Sequence, residues 1–293
     1  MSASPLELPT ILNLEMLEPN RFKGVSPKDG IQPIFGGQLI GQSMVAACRT
    51  AEGRIPHSLH AYFIRPGDAE LAIIYEVERI RDGNNHSIRR VTATQNGKAI
   101  FSLDISFHRG DEGYFDHQQI MPDVPPPEKL TIGELSKEQF FNDVPERIRR
   151  WYQPDFPAAL PDRAIELRAV EVNRFVGHKI DDGKVHFWIK AATHLPDDPA
   201  IHFCALAFAS DWSLLDAILA RYGFTLFDGR MLSLSLDHAM WFHRPFRADE
   251  WLLYAKDSPS AQGSRGLARG SIYSRDGTLV ASVAQEGLLR LQR

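Results

Sequence analysis

The chain has 293 residues, of which 43% are hydrophobic and 24% are charged, a composition that is normal for a globular protein. Its formal net charge of -4 does not favour nucleic acid or an anionic membrane surface as a partner. No uncharged apolar run reaches the roughly 20 residues that a membrane-spanning helix needs, so no membrane span is expected.

The two cysteines, Cys48 and Cys204, form neither a metal-ligand spacing nor a disulfide framework. Both lie among apolar neighbours, which is typical of small core residues. The N-terminus lacks a secretory pattern, and the C-terminus lacks a peroxisomal address of the Ser-Lys-Leu type. We therefore expect a reducing, cytoplasmic location.

The first strong element is the helical pattern "FGGQLIGQSMVAACRTAEG", which begins at Phe35. Its apolar positions are Leu39, Ile40, Met44, Val45, Ala47 and Cys48. Because they surround the helix almost completely, other structure is expected to wrap it on all sides.

Alternating stretches follow, from "HAYFIRPG" at His60 to "SIRRVTATQNGKAIFSLDISF". They predict antiparallel strands, with a hairpin turn at Asn96-Gly97. A Pro-rich break, "MPDVPPPEKLT", and a short helical pattern, "LSKEQFFNDVPERIRRWY", then mark residues 111–165 as a connector. We expect the connector to pack on the outside and not to form a third domain.

The second half begins with "SDWSLLDAILARYG", which predicts a helix with Ser210 and Asp211 as N-cap candidates and Gly223 as its C-cap. In the strand "MLSLSLDHAMWF", leucines alternate with Ser233, Ser235 and an aspartate, so the serines are expected on a solvated face. Further strands follow, with a hairpin at "RDGT".

The two halves repeat one another. "HAYFIRPG" and "HAMWFHRPF" stand at matching places, and each is preceded by an apolar helix and followed by strands with an Asn-Gly or Asp-Gly turn. This order predicts an α+β fold of two tandem units, at 8–110 and 166–293, each a long helix wrapped by a curled antiparallel sheet. Because His60 and His238 occur in both copies, a structural role is expected for both.

Differences between the copies indicate functional candidates. In the last strand, Gln285 occupies the core-facing position that Ile105 occupies in the first copy. A buried glutamine must find hydrogen-bond partners or cost about 1–3 kcal/mol. Backbone partners at a strand end would satisfy it, and a simple cap would explain Asp211. Amides at the start of the first helix, at Gly36 and Gly37, could stabilise an oxyanion.

Several familiar active-site motifs are missing from the sequence. There is no G-x-S-x-G nucleophile elbow, no dinucleotide fingerprint, no P-loop and no H-E-x-x-H. The usual α/β-hydrolase fold and the nucleotide-binding folds are therefore not favoured.

A long series of motifs nevertheless resembles one family. "IFGGQLIGQSMVAA", "SLHAYFIRPGD", "LDHAMWFHRPF" and "RGSIYSRDGTLVASVAQEG" are similar to the type II acyl-CoA thioesterases, the TesB family, which have a double hotdog fold. The resemblance implies hydrolysis of acyl-CoA to free acid and CoA without a cofactor or metal, and assembly into a homo-oligomer, a dimer or tetramer. The catalytic Asp, Thr and Gln of the family correspond to Asp211, Ser235 and Gln285, so serine stands in the threonine position.

Three questions stay open at this point. Asp211 could activate a water molecule or attack the thioester directly. The "LDHA" stretch contains an Asp and a His, which an enoyl-CoA hydratase or dehydratase of the same fold would need. A non-catalytic acyl-CoA-binding protein would have the fold without a working trio.

Overall fold

A computed structural model describes residues 7–27, 33–110, 113–131, 135–144, 164–226 and 228–292. The helices are α1 (Leu8–Leu12), α2 (Gly36–Cys48), α3 (Lys137–Asp143), α4 (Pro199–Ser210) and α5 (Asp216–Ala220). The strands are β1 (Glu15–Glu18), β2 (Arg21–Gly24), β3 (Ile55–Phe63), β4 (Ile73–Asp82), β5 (His86–Gln95), β6 (Lys98–His108), β7 (Ile165–Ala169), β8 (Val185–Ala191), β9 (Met231–Ser235), β10 (Asp237–Phe242), β11 (Leu252–Gln262), β12 (Arg265–Ser274) and β13 (Leu279–Leu291).

The strands form one antiparallel sheet in the order β1-β2-β4-β5-β6-β3-β10-β13-β12-β11-β8-β7, with β9 paired to β13. The first six strands of this order come from the first half of the chain and the rest from the second, so each half contributes a contiguous part of the sheet. With its central helices enclosed, the molecule is a double hotdog, as predicted.

The two repeated stretches pair with each other where the halves meet. In the β3–β10 pair, His60 lies opposite Ala239 and Ala61 lies opposite His238. His60 is exposed and packs edge-on against Trp241, with ring centroids 5.4 Å apart, whereas His238 is only 1% exposed. The predicted structural role fits the buried His238 but not the exposed His60, because strand alternation turns the two histidines to opposite faces.

Helix α2 matches its predicted position and burial. Every residue from Gly37 to Ala47 is buried, as expected for a helix that is apolar on nearly all sides. It packs closely against α4. A Cβ added to Gly41 would lie 3.0 Å from the Phe208 Cβ, so glycine permits the close approach of the two helices.

The prediction for the second helix is wrong. Helix α4 lies upstream of the predicted stretch and ends at Ser210, so Asp211 follows a helix C-terminus and does not cap an N-terminus. The signal for the true start is the pair Asp198-Pro199: Asp198 Oδ1 accepts the Ala200 N–H at 3.0 Å, and Pro199 occupies the first helical position.

Only a short helix, α5, forms within the predicted stretch. Ser213 has a φ of 56°, in the left-handed region, and interrupts the helical path after Asp211. Gly223, with a φ of 74°, follows α5. The N–H of Phe224 bonds to the Leu219 carbonyl at 3.1 Å, which is the helix-ending pattern that the predicted C-cap implies.

Residues 113–131 of the connector pack on the outer face of the second half's sheet, whereas residues 135–144 pack against the main core. Gln118 bonds to both sides of the β12–β13 turn region, donating to Gly277 O at 2.7 Å and accepting from Leu279 N at 3.0 Å. Trp188 Nε1 donates to Pro125 O at 2.9 Å. We keep the division into 8–110, 111–165 and 166–293 as a proposal, since residues 145–163 of the connector lie outside the described residues.

Within the described ranges, no helix combines the length and apolar character needed to cross a membrane.

Candidate active site

A cavity of about 680 Å³ lies between the two halves of the molecule. Its apolar lining comprises Ile34, Phe35, Leu39, Phe63, Leu167, Phe175, Phe187, Leu215 and Leu226. Asp211, Ser235 and Gln285 are among its polar residues. This size, with mostly apolar walls and a few convergent polar groups, is typical of a site for a small molecule.

The structure brings the three predicted catalytic residues together. Asp211 follows α4, Ser235 ends β9, and Gln285 lies on β13. Gln285 Nε2 donates to Ser235 Oγ at 2.6 Å, and Ser235 Oγ donates to Asp211 Oδ1 at 3.3 Å. Ser235 pairs with Gly287, two residues from Gln285, so the side chains of Ser235 and Gln285 project from one face of the sheet as diagonal neighbours.

The serines of β9 do not form a solvated face. Ser233 and Ser235 line the cavity, and the Ser233 hydroxyl is buried with no hydrogen-bond partner among the described residues. Leu234, between them, is 42% exposed. The expectation of solvated serines is wrong because β9 lies over a cavity that the strand pattern does not reveal.

Gln285 faces the core, as the comparison of the two copies predicts. It is 1% exposed and bonds to two side chains, those of Ser235 and His238. Backbone partners at a strand end are therefore not what satisfies its amide.

The N-terminal end of α2 faces Asp211. A Cβ added to Gly36 would lie 2.7 Å from Asp211 Oδ2, and Gly36 lines the cavity. Gly37 packs instead against the Phe208 carbonyl of α4. The first N–H groups of a helix have no intrahelical acceptor and lie at the positive end of its dipole. Of the two predicted oxyanion residues, Gly36 is therefore the one at the cavity wall.

His238 lies directly behind Gln285. Its Nδ1 is 2.5 Å from Gln285 Oε1, and its Nε2 is 2.9 Å from Ser210 Oγ. Burial lowers the pKa of His238, although the negative charge of Asp211 acts in the opposite direction. The net effect favours the neutral imidazole.

Buried polar groups hold the turn that carries Asp211. Tyr254 Oη donates to Ser210 O at 2.9 Å, and Lys256 Nζ donates to the carbonyl and hydroxyl of Ser213 at 3.2 and 2.6 Å. Burial lowers the pKa of Lys256 well below its ordinary value and, with the negative charge of Asp211, raises that of Tyr254. These bonds fix the residues on both sides of Asp211.

His238, Tyr254 and Lys256 are not among the sequence candidates. A signal for His238 exists, because His238, Met240 and Phe242 alternate along one strand and a core-facing strand would turn all three inward. Tyr254 and Lys256 give no such signal. Their partners are fixed only when β11 packs against the end of α4.

Among the described residues, no group of three or more His, Cys, Asp or Glu side chains is placed to hold a metal ion.

Known proteins of one family match the chain along most of its length. The family model described as acyl-CoA thioesterase matches residues 158–288, and the model of the acyl-CoA thioesterase N-terminal domain matches residues 26–108. Human acyl-coenzyme A thioesterase 8 is 38% identical over 285 residues, covering 97% of this chain and 88% of the human protein. The chain belongs to the acyl-CoA thioesterase family.

Two further relatives of this family match along nearly their whole length. Acyl-CoA thioesterase 2 of Haemophilus influenzae is 36% identical, with 96% of each chain covered. The crystal structure of an acyl-CoA thioesterase II from Mycobacterium marinum is 38% identical, with a TM-score of 0.74 and coverage of 97% of this chain and 98% of that one.

Proposed function

We propose that this protein hydrolyses acyl-CoA thioesters to free acid and CoA, using a water molecule positioned by Asp211, Ser235 and Gln285. The observation that carries the proposal is the hydrogen-bonded series from Gln285 through Ser235 to Asp211 at the wall of an apolar cavity. An acyl chain suits the apolar walls, and a reacting carbonyl would lie beside the polar residues.

The chemistry matches these residue types. Asp211 accepts a proton from the water molecule while the oxygen of that water bonds to the thioester carbonyl carbon. Collapse of the tetrahedral intermediate breaks the C–S bond, and the proton leaves with the CoA thiol. Ser235 holds one oxygen of Asp211, so the other is free to receive the proton. The amide of Gly36, at the start of α2, is a donor for the oxyanion.

The first experiment measures thiol release from a panel of short- to long-chain acyl-CoAs. Asp211→Asn is expected to lower kcat by about 100-fold or more, because an amide cannot accept the proton, with little change in melting temperature. Asp198→Asn is the matched control: it alters an aspartate that caps α4, away from the cavity, and should keep full activity. No thiol release by the folded wild-type protein would contradict the proposal.

Direct attack by Asp211 is the alternative chemistry. It would form a mixed anhydride between the Asp211 carboxyl and the acyl group, which mass spectrometry of a quenched reaction would detect as an acylated protein. We expect no such species, since the Ser235 hydroxyl holds one oxygen of the carboxylate in place beside the cavity.

An enoyl-CoA hydratase or dehydratase is the second candidate, and the structure gives it little support. Both ring nitrogens of His238 have partners within the protein, and Asp237 Oδ1 accepts the Glu286 N–H at 2.7 Å. Loss of crotonyl-CoA absorbance without thiol release would favour hydration. Tight acyl-CoA binding with neither reaction would favour a non-catalytic binding protein.

A homo-oligomer, a dimer or tetramer, and a reducing, cytoplasmic compartment also stay proposals. The resemblance to the thioesterase family supports assembly, and two free cysteines support a reducing compartment. Light scattering after size-exclusion chromatography tests the first, and cell fractionation tests the second.

A further inference from the structure

We infer that His238 is a positioning residue: it selects the orientation of the Gln285 amide and thereby turns the Ser235 hydroxyl toward Asp211. The inference rests on the proposed function, because it concerns the same three residues. His238 does not line the cavity, so it acts only through its neighbours.

The direction of the hydrogen bonds carries the argument. A serine hydroxyl has one hydrogen. For Ser235 to donate to Asp211, its oxygen must accept from Gln285, so the NH₂ group of the amide faces Ser235. Gln285 Oε1 then faces His238 Nδ1 at 2.5 Å, and this nitrogen must carry the ring hydrogen.

The opposite amide orientation removes the site's function. If Gln285 turned over, Oε1 would face Ser235 and accept its hydrogen. Ser235 would then have no hydrogen for Asp211, and the carboxylate would lose the bond that holds Oδ1. The Nδ1–H group of His238 disfavours this state, because it would bring the NH₂ group of Gln285 against another donor.

The second ring nitrogen fixes the same tautomer. Nε2 carries no hydrogen in this arrangement and accepts from the Ser210 hydroxyl at 2.9 Å. The Ala207 carbonyl is a second acceptor for that hydroxyl, at 2.8 Å. The inference requires the Ser210 hydroxyl hydrogen to point to the bare Nε2 of His238 and not to Ala207 O. His238 thus bonds to Gln285 at one end of the series and to Ser210, the residue that precedes Asp211, near the other.

The two copies of the repeated stretch differ at this point. His60 stands in the same motif as His238 but is exposed and packs against Trp241 on the outer face. It serves as the matched control, because the same substitution there leaves the site untouched.

The kinetic experiment uses substitutions that each keep a polar atom near only one of the two ring nitrogens of His238. His238→Asn places an amide NH₂ near the position of Nδ1 and keeps a donor to Gln285, so kcat should stay within about 10-fold of wild type. His238→Gln reaches only the position of Nε2 and lets the Gln285 amide turn, so kcat should fall by about 100-fold, as misplaced catalytic groups do. KM should change little in either variant, and His60→Asn should behave as wild type.

A merely structural role would give a different pattern. Equal losses of kcat in His238→Asn and His238→Gln, or losses that follow the melting temperature, would overturn the inference.

The tautomer provides a readout that is independent of turnover. The ¹⁵N NMR spectrum of the His238 ring should show hydrogen on Nδ1 and a bare Nε2. Hydrogen on Nε2 would overturn the inference even in an active protein. A wild-type protein with the expected tautomer but no thiol release would instead contradict the proposed function alone.

Discussion

At the scale of single residues, Ser235 links the other two members of the site. Its oxygen accepts from Gln285 at 2.6 Å while its hydrogen bonds to Asp211. A hydroxyl can do both at once, whereas a methyl can do neither. Threonine, which the motif resemblance implies at this position, could make the same two bonds, since the two side chains share the hydroxyl.

Two substitutions of Ser235 therefore test the effect of the hydroxyl separately from the effect of side-chain size. Ser235→Ala leaves the buried Gln285 amide without its acceptor, at a cost of about 1–3 kcal/mol, and should lower kcat by about 100-fold. Ser235→Thr should retain activity, because threonine keeps the hydroxyl and residue 235 lines the cavity. Thiol-release kinetics and thermal melting check both. Equal activity of the two variants would contradict a role for the hydroxyl.

At the scale of elements, the site forms at one end of two antiparallel helices, α2 and α4, which come from different halves and pack side by side. The start of α2 lies beside the end of α4, so the positive end of one helix dipole faces the Asp211 carboxylate. Neither half contains the arrangement alone, because Gly36 belongs to the first copy and the catalytic candidates to the second.

The two glycines at the start of α2 should respond differently to the same substitution. A Cβ at Gly36 would lie 2.7 Å from Asp211 Oδ2 and from the Phe63 ring. Gly36→Ala is thus expected to lower kcat by about 100-fold, since it displaces the carboxylate. Gly37→Ala would press on the Phe208 backbone, so it should chiefly lower the melting temperature. Paired kinetics and calorimetry test this. The reverse pattern would contradict the geometry.

At the scale of the whole molecule, the polar trio of Asp211, Ser235 and Gln285 belongs to the second copy, and the first copy does not repeat it within the described residues. The opposite ends of α2 and α4 enclose a smaller cavity of about 390 Å³, whose lining includes Cys48, Arg49, Asp198 and Cys204 and no counterpart of the Asp, Ser and Gln trio. Nearby, Arg89 is 1% exposed and bonds to the carbonyl and hydroxyl oxygens of Thr50, just beyond α2. In the first copy, Arg89 pairs with Ile105, the position that corresponds to Gln285. A structural arginine thus lies beside the position where the second copy has a member of its polar trio.

Acid should destabilise the whole fold below about pH 6.5. Burial lowers the pKa of the two buried histidines, His202 and His238. In the unfolded chain these rings titrate near 6.5, so the unfolded state takes up more protons as the pH falls below that value. The free energy of unfolding is therefore not reduced by these rings above about pH 6.5, and it declines on acidification. Calorimetry from pH 7.5 to 5.5 should show a falling melting temperature. A constant value would contradict the burial of these rings as neutral groups.

Local patterns were sufficient for much of the architecture. Helix α2, the Asn96-Gly97 turn and the core-facing position of Gln285 all follow from periodicity or turn chemistry, which depend on neighbours along the chain. The helical pattern misplaces the second helix because residues 199–210 and the predicted stretch 210–223 are both apolar. The Asp198-Pro199 start signal distinguishes the two stretches.

The amino-acid sequence alone determined the duplicated helix-and-sheet unit, and its motifs indicated the family. Only the tertiary structure decided that Asp211 ends one helix while facing the start of another, that Ser235 faces a cavity, and that His238 bonds to Gln285. The physical reason is that hydrogen-bond partners far apart in the chain are chosen by sheet pairing and helix packing, which no local period records.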